Sequence, residues 1–146
     1  MAICGRPLNE PLLLHDILRA GLASGENRTA LVSVDERLTW RELDEFTFRT
    51  AQSYLAFGLK PGDRVASLMP NRIELLVQYL ACLRAGLVAT PLNYRYMPPE
   101  IDHALEVSGA RILLVHADRE ADVRTSKRVP LLELGTLRYG GKDKSS

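Results

Sequence analysis

Few residues in this chain have the type and spacing that chemistry demands. Gly135 and Gly140, followed by Gly141-Lys142, approximate a phosphate-binding loop. The Gly-x-x-x-x-Gly-Lys-Ser/Thr spacing fails, because Gly141 stands at the lysine position and no helical pattern follows. His15, His103 and His116 are scattered, without Asp, Glu or Cys partners at ligand spacing, so they read as surface or half-buried side chains. Cys82 sits in an apolar helical pattern and reads as a small buried thiol. Asp44 with Glu45, and Glu133 with the tail, make no acid pair for general acid–base work. No Gly-x-Gly-x-x-Gly follows a strand pattern, and no Gly-x-Ser-x-Gly elbow is present.

The composition sets the frame for these residues. The 146 residues are 46% hydrophobic and 25% charged, with 19 basic and 18 acidic side chains and a net charge of +1. That balance offers no electrostatic footprint for nucleic acid. No apolar run reaches the ~20 residues of a membrane helix, and none near the N-terminus suits a signal peptide. Two cysteines, Cys4 and Cys82, make no disulfide framework. The expected compartment is the cytoplasm.

The elements that would position a site follow from periodicity. Residues 1–10 read as a loose lead-in, and Pro11–Leu22 as a short helix with Leu14, Ile17, Leu18 and Leu22 on one face. Thr29–Val34 and Arg37–Thr39 read as a hairpin turning at Asp35-Glu36, with Ala30, Val32 and Val34 sharing a face. Thr39 and Glu42 have capping-box spacing and open a helix that Gly58 closes. Its apolar stripe is Leu43, Phe46, Thr47, Ala51, Tyr54 and Leu55, and Trp40 is expected to anchor the hairpin to the helix behind it.

Arg64–Met69, Leu87–Thr90 and Arg111–Val115 read as short apolar strands. Between them lie two helices. Asn71 is the expected cap of the first, in which Glu74 and Gln78 mark a narrow wet stripe; Pro98-Pro99 opens the second. Alternating strands and helices predict parallel pairing with right-handed crossovers. The expected fold is therefore α/β: an N-terminal helix–hairpin–helix followed by a βαβαβ parallel-sheet layer. Residues 1–116 form its main part. Residues 117–146 read as an incomplete continuation, with a short helix at Asp118–Arg124, a strand at Val129–Leu134 and a frayed end from Gly140.

Two stretches go further. Leu38-Thr39-Trp40-Arg41-Glu42-Leu43 resembles the first core motif of the AMP-forming adenylating enzymes, the superfamily of acyl-CoA synthetases, luciferases and peptide-synthetase adenylation domains. Leu83-Arg84-Ala85-Gly86-Leu87-Val88-Ala89-Thr90-Pro91-Leu92-Asn93 resembles the second. Lys60-Pro61-Gly62-Asp63-Arg64-Val65-Ala66 and Met69-Pro70-Asn71 lie between them in the family's order, and Glu100-Ile101 and Ser108-Gly109-Ala110 follow. The likeness runs from about Leu12 to His116. Asn93-Tyr94-Arg95-Tyr96 is more like the acyl-CoA synthetase branch than the peptide-synthetase branch.

The resemblance implies the first αβ layer of a larger N-terminal domain and, in full-length members, use of ATP, magnesium and CoA. The family's glycine-rich ATP loop, its AMP–magnesium motif, its ribose-binding aspartate and its C-terminal lysine domain have no counterpart here. Thr125-Ser126-Lys127 lacks the glycine that a nest of backbone N–H groups needs. The expectation is a truncated acyl-CoA synthetase segment, inactive alone, with no catalytic residue, no metal ligand and no cofactor of its own. Its expected partner is the missing remainder of the enzyme or a homologous subunit. One ligand contact is implied by the resemblance: Arg95, at a position where some acyl-CoA synthetases place an arginine near the CoA phosphates. One departure is Met97, where the family often has a Ser or Thr cap worth about 1 kcal/mol.

Two other classes make different predictions. A stand-alone interaction module reusing this scaffold would be soluble and monodisperse, whereas a segment of a larger sheet leaves an open strand edge and apolar patches. A small independent nucleotide-binding protein would need a phosphate cradle that the sequence does not supply.

Overall fold

The computed structural model describes residues 2–3, 6–7, 13–14 and 16–139. The proposed frayed end from Gly140, together with Pro11, Leu12 and His15, lies outside the described residues.

In the lead-in, β1 (Ala2–Ile3) pairs antiparallel with β2 (Arg6–Pro7), so the segment read as loose contains a two-rung ladder. Helix α1 spans Asp16–Gly25, and so reaches three residues beyond the expected end at Leu22. Only part of its anticipated face is covered: Leu18 is buried, while Leu14 and Ile17 are exposed.

The hairpin forms from β3 (Thr29–Val32) and β4 (Arg37–Thr39). Its register shifts between Thr29 and Leu31, so Ala30 and Leu31 both pack inward while Val32 and Val34 point to solvent. The irregularity replaces the strict alternation expected of Ala30, Val32 and Val34.

Helix α2 (Trp40–Ala56) starts with the capping box expected of Thr39 and Glu42. The Glu42 N–H donates to Thr39 Oγ1 at 3.2 Å, and the Thr39 N–H donates to Glu42 Oε2 at 2.8 Å. Leu43, Thr47, Ala51 and Tyr54 are buried, and the Thr47 hydroxyl is satisfied by donating to the Leu43 carbonyl at 2.6 Å. Phe46 and Leu55, expected in the same stripe, flank the buried face and stay half exposed.

The parallel sheet contains β5 (Arg64–Leu68), β6 (Val88–Pro91), β7 (Ile112–His116) and β8 (Gly135–Tyr139), in the order β6-β5-β7-β8. Helix α3 (Ile73–Ala85) joins β5 to β6, and α4 (Pro98–Ser108) joins β6 to β7. The first connection steps from β5 to β6 at one edge and the second runs back past β5 to β7, so right-handed crossovers put their helices on opposite faces of the sheet. On one face Val65 and Ile112 pack against α2 and α3; on the other, Ala66, Leu68, Leu113 and Val115 pack against Ile101 and Leu105 of α4.

Helix α3 departs from the sequence reading at both ends of its polar logic. Its N-cap is Arg72, without a side-chain cap bond, rather than Asn71. Gln78 is not on a wet stripe: it is buried, and its amide donates to the Val65 carbonyl at 3.4 Å. The exposed side instead carries Leu76 and Leu83, each 37% accessible. Gly86 ends the helix at φ 71°, a left-handed conformation that side-chain-bearing residues adopt only at a cost. At Met97 the side-chain half of a cap is missing, yet the Met97 N–H donates to Glu100 Oε2 at 2.7 Å and α4 starts where expected.

After β7 come a 3-10 turn (Ala117–Arg119) and α5 (Glu120–Thr125). Val129–Leu131 is a second 3-10 turn, so the strand expected at Val129–Leu134 begins only at Gly135. Pro130 offers no N–H to a ladder, and the tie to the sheet starts with the Leu134 N–H donating to the Arg111 carbonyl at 3.1 Å. Arg111 adds side-chain ties to Asp63 at 2.8 Å and Glu133 at 2.6 Å, which link the start of β5 to the approach of β8.

Candidate functional site

Open parallel sheets present their ligand crevice at the carboxyl ends of the strands, near the point where strand order reverses. Here that point lies beside β5, and the loops that crown it are 93–97 after β6 and 117–119 after β7. The Leu92 N–H donates to the Ser67 carbonyl at 2.8 Å and holds the exit of β6 against β5. Asn93 then folds the loop over itself: its side-chain Oδ1 accepts from the Arg95 N–H and its carbonyl accepts from the Tyr96 N–H, both at 3.0 Å. Arg95 is exposed at the crest of this turn.

A second arginine lies beneath the loop. Arg119 is only 8% accessible. Its Nη2 donates to the Tyr96 carbonyl, its Nε donates to Asp122 Oδ2 at 2.8 Å, and its guanidinium lies 5.3 Å from the centre of the Tyr94 ring. Nothing in the local sequence singles it out, since Asp118–Arg124 reads only as a short helix. His116 ends β7 and is buried; its Nδ1 accepts from the Asp118 N–H at 3.2 Å, closing a local turn. His103 is exposed on α4. Among the described residues no cluster of three His, Cys, Asp or Glu side chains is suited to a metal ion.

The Thr125-Ser126-Lys127 stretch is already occupied by the protein itself. The Asp102 carboxylate accepts from the Ser126 hydroxyl and from the backbone N–H groups of Lys127 and Arg128, the latter two at 3.1 and 3.0 Å. Burial pushes the Asp102 carboxyl up, but these donors together outweigh it and hold it below its ordinary value. Amides engaged by an internal carboxylate do not cradle a nucleotide phosphate. Gly135, the other glycine considered for a phosphate loop, turns the chain into β8, and Gly140-Gly141-Lys142 lie outside the described residues. Among the described residues, these stretches therefore do not fit an ATP–magnesium site.

Cys82 is not a nucleophile here. It is fully buried, with burial pushing its thiol up to about 12, and its Sγ accepts from Gln78 Nε2 at 3.7 Å. A groove of about 450 Å³ runs between α1, α2 and α3, walled by Leu18, Leu22, Leu83 and the Arg84–Asp44 pair. Arg84 contacts Asp44 Oδ1 at 2.7 Å and stacks 5.4 Å from the Phe48 ring centre, so its charge is already met by the protein.

Among the described residues of these loops, Arg95 is the exposed cation without a partner, carried on a scaffold of caps and tight strand–helix junctions. The family model of the AMP-binding enzymes matches residues 18–140. The chain belongs to the AMP-binding enzyme family. It is 44% identical over 102 residues to a feruloyl-CoA synthase of Amycolatopsis sp, covering 66% of this chain and 21% of that protein. It is 36% identical over 104 residues to a long-chain-fatty-acid–CoA ligase of Escherichia coli O157:H7, covering 70% of this chain and 18% of that protein.

Solved structures agree with this placement in the AMP-binding family. ATP-bound MatB from Rhodopseudomonas palustris superposes with a TM-score of 0.77 at 26% identity, over 88% of this chain and 25% of that one. A fatty acyl CoA synthetase of Mycobacterium tuberculosis gives 0.76 at 28% identity, over 86% and 26% respectively. The chain spans about a fifth of the length of the relatives above, at 21% and 18%.

Proposed function

We propose that this chain is the N-terminal segment of an acyl-CoA synthetase. The observation that carries the reading is the pairing of family membership with partial cover: residues 18–140 match the family, yet the segment spans 21% of a feruloyl-CoA synthase and 18% of a long-chain ligase. In the whole enzyme a carboxylate oxygen attacks the α-phosphorus of ATP and the bond to pyrophosphate breaks. The CoA thiol then attacks the acyl carbon, and AMP leaves with the bonding electrons. Both steps need charge-stabilising groups placed around phosphates. The sequence has no counterpart of the family's glycine-rich ATP loop or AMP–magnesium motif, so this segment alone is expected not to run the reaction.

Its part is to build one layer of the domain and to contribute Arg95 to the CoA phosphates. An exposed guanidinium with no partner among the described residues is suited to a bidentate phosphate contact. The partner is the remainder of the enzyme or a homologous subunit, and the compartment is the cytoplasm. Among the described residues no helix is long and apolar enough to cross a membrane. The exposed Leu14, Ile17, Leu76, Leu83 and Phe46 favour a segment awaiting further packing over a self-contained interaction module.

ATP–pyrophosphate exchange with the isolated chain and a panel of aromatic and fatty acids tests the first part. No exchange is expected, and steady exchange overturns the reading. In the longer enzyme, Arg95→Ala is expected to raise the KM for CoA about tenfold, the loss of one charge-assisted contact. An unchanged KM removes Arg95 from the site.

A further inference from the structure

We propose that Arg119 is a positioning residue that sets the direction of the Arg95 side chain; the functional weight of this rests on the reading of Arg95 given above. The loop 93–97 makes its other hydrogen bonds locally, from Arg95 N–H and Tyr96 N–H to Asn93 and from Met97 N–H to Glu100. These bonds shape the turn without fastening it to the strand ends. Arg119 supplies the fastening, on both sides of Arg95: its guanidinium lies against the Tyr94 ring and donates to the Tyr96 carbonyl. The Tyr96 side chain packs against the core beneath α4, so the loop is seated where the guanidinium grips it.

The choice of arginine is informative. A cation 92% withdrawn from solvent carries a desolvation penalty that a methionine of similar length avoids. Asp122 offsets that penalty from the next turn, with its Oδ2 at 2.8 Å from Nε. What the arginine adds is direction. A planar fork meets a carbonyl and a carboxylate at fixed angles and stacks on a ring with its face, so it specifies one loop conformation. Holding the Tyr96 carbonyl and the Tyr94 ring restrains the turn on either side of Arg95, and with it the direction in which that exposed side chain leaves the backbone.

Native-state hydrogen exchange of the chain resolves this, read at residues 94–97 and, for comparison, in β5 and β7. Arg119→Met is expected to speed exchange in the loop about tenfold, the factor for losing one charge-assisted bond, with strand protection unchanged. Arg119→Lys, which keeps a cation over Tyr94, is expected to recover part of the protection. Wild-type loop rates in Arg119→Met overturn the proposal. So does a loss of protection shared equally by loop and strands, which is what a merely structural role gives. Tyr94→Leu removes the ring contact and leaves the carbonyl bond; a loop no faster than wild type in that variant sinks the two-sided grip even if Arg119→Met fails to fold. The CoA KM of Arg95→Ala is decided independently, so failure of the grip and failure of the Arg95 reading are told apart.

Discussion

The Trp40 ring lies directly on Gly21. A methyl group built at position 21 would sit 2.1 Å from Trp40 Cε3, well inside van der Waals contact. The first residue of α2 is thereby seated against the middle of α1, beside Leu18, Leu38 and Leu43. Trp40 thus packs the start of α2 on α1, and the glycine opposite makes the room.

Gly21→Ala is therefore expected to destabilise the fold, although alanine is the better helix former by about 1 kcal/mol. Displacing a packed indole costs about 1–3 kcal/mol as overpacking, and the clash is with rigid ring atoms. Thermal unfolding followed by circular dichroism should show a Tm lower by several degrees. An equal or higher Tm would mean that α1 moves away freely.

The capping box offers a second test. Thr39→Ala removes the acceptor for the Glu42 N–H and is expected to cost about 1 kcal/mol in urea unfolding. Thr39→Ser, which keeps the hydroxyl, is expected to retain most of the stability. If alanine and serine behave alike, the cap contributes nothing measurable.

Acid sensitivity follows from Asp63. The Lys60 N–H donates to its carboxylate at 2.7 Å and Arg111 approaches at 2.8 Å, and together they hold the carboxyl below its ordinary value. The unfolded chain therefore binds a proton more readily than the folded one, and stability rises with pH through this window. The contribution is fully present above the ordinary Asp value and is lost as pH falls through the lowered one. The urea midpoint is expected to fall on acidification below the usual carboxylate range. Asp63→Asn should flatten part of that slope, with Glu120, held low first by Arg138 and then by Arg124, accounting for more. A slope identical in Asp63→Asn would contradict the assignment.

Cys82 should be inert until the core opens. Full burial and a thiol pushed up to about 12 leave almost no accessible thiolate near neutral pH. Peptide-resolved iodoacetamide labelling should find Cys82 unmodified in native buffer and fully modified in denaturant. Rapid native labelling would show that α3 opens locally.

The sequence by itself determined the elements whose causes are local. The Thr39–Glu42 box, the Gly86 and Gly109 helix ends and the strand–helix alternation from Arg64 to Val115 depend on neighbours within one or two turns, so spacing exposes them. The tertiary structure decided what depends on distant partners. Gln78 is buried because the Val65 carbonyl lies beside it, and Leu76 and Leu83 are exposed because no described element covers that side. The last strand starts at Gly135 rather than Val129 because Arg111, far back in the chain, sets where it joins the sheet. Arg119 is the clearest case. Its meaning lies in Tyr94 and Tyr96, more than twenty residues earlier, and only folding brings them within reach.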